Sequence, residues 1–137
     1  MKTILFLLAI LATNLVNAQD TESGNIEVKV PNVSSSTGEV LFALYTEDNF
    51  MQAPVASLKA EIIEGEASAN FKNLKEGNYA ILVMHDVNMN MQMDFDIDGL
   101  PLEDYGSSNN VYEMGPPTWG NSNFKFTGKN TKMEIRF

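Results

Sequence analysis

From Asn25 onward, apolar and polar residues alternate with a period of two, and this pattern constrains the fold more than any other feature. "NIEVKV" puts Ile26, Val28 and Val30 on one face and Glu27 and Lys29 on the other. Successive strand residues point to opposite sides of a sheet, so such a run reads as a half-buried strand. "EVLFALYT" (39–46) is apolar on both faces, which suits a central strand. "SLKAEIIE" and "EASANFKNL" flank Gly65 as a hairpin would, and "GNYAILVMHD" (77–86) is the most apolar strand candidate. "NFKFT" and "TKMEIRF" read as a closing pair around "GKN", the last burying Met133, Ile135 and Phe137. Only "NFMQAPVASL" (49–58) has the look of a short helical turn. The expectation is an all-β fold, an antiparallel β-sandwich of about seven strands. Tyr79, two residues after Gly77, has the placement of a tyrosine corner, whose hydroxyl bonds to upstream backbone.

The first residues break this pattern. Lys2 precedes an apolar run from Ile4 to Leu11, and Val16-Asn17-Ala18 supplies small residues for cleavage. That is the layout of an export signal, expected over residues 1–18, leaving 19–137 as a single domain in the periplasm or outside the cell. The run is too short for a stop-transfer span, and no other apolar run is long enough to cross a membrane. The chain has no cysteine, so neither disulfides nor thiol chemistry are available to it. Eighteen acidic residues against nine basic ones give a net charge of −9, which argues against nucleic acid and anionic membrane as partners.

The connection from Met84 to Phe124 is too long for a plain turn and carries the chain's densest chemistry. In "HDVNMNMQMDFDIDG", Asp86, Asn88, Asn90 and Asp94 fall at positions 1, 3, 5 and 9 of a calcium-loop pattern. Alternate side chains of such a loop turn inward on one ion, which takes about six to eight oxygens. The backbone carbonyl of Gln92 stands at position 7, and Asp98 or Glu103 is near enough in sequence to close the shell. Met91 occupies the usual glycine position and Ile97 the usual glutamate. A left-handed Met costs on the order of 1 kcal/mol. The competing reading is an Asx turn, in which the same side chains hold only backbone.

His85, the single histidine, reads as a structural hydrogen bonder at a strand end; a hydrolase reading would need it grouped with Asp86 and Glu103. Met84, Met89, Met91 and Met93 raise copper, but methionine more often fills space. Zinc lacks ligands here. Tyr105, Tyr112 and Trp119 could stack on a sugar or cover the sandwich end.

Gly77, Tyr79, His85, Asp86, Asn88, Asn90, Asp94, Gly99, Pro101, Glu103, Tyr105, Gly106, Ser108, Asn109, Pro116 and Pro117 together form a longer motif. On these residues the chain resembles the bacterial domain-of-unknown-function family 2141 over nearly all of residues 19–137. Met91 stands where that family has glycine. The resemblance implies an exported, immunoglobulin-like or transthyretin-like sandwich and implies no activity. The expected function is therefore non-enzymatic: a calcium site ordering residues 85–120, with a cell-surface protein or glycan as partner; the alternative is a carbohydrate- or surface-ligand-binding module that uses the loop aromatics.

Overall fold

The central pair of the fold is β2 (Glu39–Tyr45) against β5 (Gly77–Asp86), antiparallel from Glu39↔Asp86 to Tyr45↔Ala80. Their alternation sorts side chains cleanly. Val40, Phe42 and Leu44 lie beside His85, Val83 and Ile81 on the inner face, and all six are buried. The computed structural model describes residues 22–137, so the export signal expected over residues 1–18 lies outside the described residues.

Eight strands form two sheets among these residues. The first sheet is β4 (Ala67–Lys75), β1 (Ser23–Val30) and β8 (Thr131–Glu134), with β1 in the middle. The second runs β3 (Ala56–Ala60), β2, β5 and β6 (Tyr105–Ser107), and β7 (Asn123–Phe126) pairs β5 beside β6. Ile26, Val28, Val30 and Phe71 from one sheet join Phe42, Leu44, Ile81, Val83 and Phe126 from the other in one core. The expected β-sandwich is thus present. Tyr79 makes the corner bond, its hydroxyl donating to the Lys75 carbonyl at 3.0 Å.

Three expectations about pairing need correction. β3 and β4 are not a hairpin of one sheet. A tight turn at Glu64 (φ 53°) and Gly65 (φ 78°) brings Ile63 and Glu66 together, and the strands then part into different sheets. β7 and β8 are not a closing pair, because β7 joins β5 and the chain crosses to the other sheet before β8. β8 runs parallel to β1, so the sandwich is not wholly antiparallel. Alternation specifies faces, and it carries no information about which neighbour a strand takes. The helical turn is a 3₁₀ turn at Glu47–Asn49, overlapping the expected segment only at Asn49, whose side chain accepts from the Thr46 N–H at 2.9 Å.

The long connection holds an element that periodicity did not reveal. β6 pairs Leu82–Met84 and β7 pairs Gly77–Ala80, so two short strands share one edge of β5. Ser108 joins them. Its N–H donates to the Ile81 carbonyl (2.8 Å), its hydroxyl accepts from the Ile81 N–H (3.0 Å), and that hydroxyl donates to the Ser122 carbonyl. Asn110 extends the pattern: its amide donates to the Glu134 carbonyl and accepts from the Arg136 N–H, at 2.9 and 2.8 Å. Asn32 does the same for both backbone groups of Phe137. Gly106 lies so close to the Arg136 carbonyl that any Cβ would collide with it. Ser107 and Ser108, loop-like in sequence, are therefore buried joints.

Ser108→Ala should orphan the buried Ile81 N–H and cost about 2 kcal/mol in chemical denaturation. Ser36→Ala, in an exposed turn, should stay within about 0.5 kcal/mol of the parent.

Candidate functional site

β5 ends in two buried polar residues that point in opposite directions. His85 faces the core at 1% exposure, its ring stacked on Phe137 with centroids 6.3 Å apart. Its Nε2–H donates to the Thr37 carbonyl at 2.7 Å. The ring's hydrogen bond and its stacking contact go to Thr37 and Phe137, not to Asp86 or Glu103.

Asp86 has no exposed surface, and it organises the turn that follows. Its Oδ1 accepts from the Asn90 N–H (3.1 Å) and its Oδ2 from the Met91 N–H (2.7 Å). The chain can return to one carboxylate this quickly only by turning left-handed, and Met89 (φ 60°) and Met91 (φ 62°) both do so. Met91 therefore takes the conformation that a glycine would adopt at lower cost. Asn88 Oδ1 also accepts from the Asn90 N–H at 3.2 Å, and Asn90 Oδ1 accepts from the Gln92 N–H at 2.9 Å. These are Asx turns in series.

Glu103 is the second anchor, 7% exposed. Its two oxygens accept from the Val87 N–H (3.0 Å) and the Asp94 N–H (3.2 Å), tying both ends of the turn to the segment just before β6. Between the anchors, Asp94 receives the side-chain amides of Asn88 (2.6 Å) and Asn90 (3.1 Å to each oxygen). Beyond it the chain makes a small hairpin. Leu102 N–H donates to the Asp94 carbonyl, Phe95 pairs with Pro101, and Asp96 Oδ1 accepts from Asp98 and Leu100.

Of the proposed ligands, Asp86, Asn88, Asn90 and Asp94 are thus drawn into one hydrogen-bonded turn, with Glu103 bonded to its backbone. Asp98 stands apart in the hairpin turn; its only bond to this network is its own N–H to Asp96. Gln92 joins the turn through its N–H. Among the described residues, no group of three or more His, Cys, Asp or Glu side chains is placed to hold a metal ion. An ion here would need the asparagine amides and backbone carbonyls as well as the carboxylates.

The three aromatic candidates are dispersed. Tyr105, on β6, donates its hydroxyl to the Gly115 carbonyl at 3.0 Å and so pins the 111–118 stretch. Trp119 is half-buried edge-on to Phe50, which in turn meets Tyr45. Burial pushes the Tyr45 phenol above its ordinary pKa. Tyr112 is 92% exposed. Trp119 also opens a four-residue helix, α1 (Trp119–Ser122), capped by the Thr118 hydroxyl. The cap residue was the available sequence signal for that helix.

The family model described as "Uncharacterized protein conserved in bacteria (DUF2141)" matches residues 28–134. The match runs from β1 to the end of β8 and includes the whole turn from Asp86 to Glu103. No curated protein and no solved structure matches the chain.

Asp86→Asn would replace one acceptor with an amide facing a donor, and should cost about 2 kcal/mol. The exposed Asp98→Asn should stay within about 0.5 kcal/mol in the same denaturation assay.

Proposed function

This chain belongs to that bacterial family, and we propose that it is an exported, non-enzymatic β-sandwich whose 86–103 turn takes up a calcium ion. One observation carries the reading. The Asp94 carboxylate is met by the amide hydrogens of Asn88 and Asn90, with no ammonium or guanidinium beside it. From Asp86 through Glu113 there are seven acidic residues and no Lys or Arg. Partial positive charge from amides stands where a cation would be more favourable.

The donor set suits a hard ion. Asp86, Asn88, Asn90, Asp94 and the Gln92 carbonyl would supply oxygens, and Glu103 would complete the shell. A carboxylate has about four acceptor sites, so accepting backbone N–H groups leaves Asp86 and Glu103 capacity for an ion. The left-handed Met91 supports the same reading, because calcium loops turn at this position. Extracellular modules need only about 10⁻⁴–10⁻³ M affinity, which suits export. On this reading calcium, which binds the folded chain, adds stability by mass action where no disulfide does.

The non-enzymatic part is supported by His85, whose ring is taken up by Thr37 and Phe137. A glycan-stacking surface has less support, since Tyr112 is the one fully presented ring of the three candidates. No helix among the described residues is long and apolar enough to cross a membrane.

Calcium at about 1–5 mM should raise the melting temperature by several degrees, EDTA should reverse it, and Asp94→Asn should abolish the response. An unchanged melting curve in calcium and in EDTA would contradict the reading.

A further inference from the structure

The 86–103 turn is inverted relative to an ordinary loop. It buries two of its carboxylates, Asp86 and Glu103, and holds six large apolar side chains in water. Met89, Met91, Phe95, Ile97, Leu100 and Leu102 are each more than half exposed. Buried polar groups and clustered exposed apolar ones are the two informative departures from normal burial. Nor are these side chains on a loose strap. The carboxylates of Asp86, Asp96 and Glu103 accept from backbone N–H groups of the turn that carries them, and Asp94 holds the side-chain amides of Asn88 and Asn90. A surface ordered in advance loses less entropy on binding.

We infer that this rim is a docking surface for another protein, through a segment that carries Lys or Arg beside apolar side chains. The charge pattern selects that occupant. Asp94, Asp96 and Asp98 are interleaved with Phe95 and Ile97, and no Lys or Arg occurs from Glu76 to Phe124. An apolar partner face rimmed with cations satisfies both features at once. A second copy of this chain would bring like charge to like charge, at a net −9 each. Insertion into a bilayer would drag the interleaved carboxylates into the interface, where membrane-lying segments carry Lys and Arg instead. Methionine adds adaptability, since its unbranched thioether fits partner surfaces of varied shape. The surface is built by the anchors, so the inference does not rest on the calcium reading.

The test uses a fluorescein-labelled amphipathic helical peptide of Leu and Lys, with fluorescence anisotropy as the readout. The controls are the same peptide with Glu for Lys and with Ser for Leu. The Leu/Lys peptide should bind at least about tenfold more tightly than either control. The double variant Phe95→Ser, Ile97→Ser, at exposed positions, should lose about tenfold in affinity. Val55→Ser, an exposed apolar position beside Leu44 and away from the turn, should lose nothing. Titrations are run in millimolar calcium and again in EDTA. Binding in either buffer counts for the surface, and the difference between buffers reports only on the ion. Equal affinity for the Leu/Lys and Ser/Lys peptides, an unaffected double variant, or flotation of the protein with phosphatidylcholine vesicles would overturn it.

Discussion

The Asp86 carboxylate, fully buried at the end of β5, accepts the backbone N–H groups of Asn90 and Met91, and the candidate site is built outward from that contact. A buried carboxylate is costly unless its oxygens are hydrogen-bonded. Here satisfying it requires the chain to curl back within five residues, which forces Met89 and Met91 into left-handed backbone. That curl places Asn88 and Asn90 so that both amides reach Asp94. Glu103 then closes the turn from the other side. Because Asp86 and Glu103 take the inner positions, the apolar side chains between them face outward.

The same economy recurs across the sandwich. Short polar side chains replace missing backbone partners where strands end or change neighbours. Ser108 carries the edge of β5 from β6 to β7. Asn32 and Asn110 receive the C-terminal strand beyond its last regular pair. Asn25 accepts from the Asn73 N–H at the bulge between β1 and β4. Such joints let a chain without disulfides tie irregular segments to two sheets, since each satisfies backbone groups that would otherwise be orphaned.

Much of the fold was legible in sequence, for a physical reason. Alternation reports which face is buried, and the inner faces of β1, β2 and β5 follow it residue by residue. The tyrosine corner was legible because glycine, strand and Tyr79 are local. Partner choice was not: the parallel β1–β8 pair and the parting of β3 from β4 depend on how the chain crosses between sheets. β6 was hidden because three residues are too few to show a period. In the site, the D-x-N-x-N spacing singled out Asp86, Asn88, Asn90 and Asp94, and these four share one hydrogen-bonded turn because they are close in sequence. Spacing did not show that Asp86 and Glu103 would be occupied by backbone N–H groups, or that Asp98 would stand apart, because both depend on where the returning strand lies.

Amide hydrogen exchange followed residue by residue by NMR tests the central claim most directly. If Asp86 and Glu103 hold the turn, the amides of Val87, Asn90, Met91 and Asp94 exchange far more slowly than their exposed side chains would suggest, approaching the protection of β5. Their protection would then fall together in Asp86→Asn while β2 and β5 stay protected. Exchange of these four amides at the rate of unstructured peptide would contradict the account, because the turn would then not be held by its buried carboxylates.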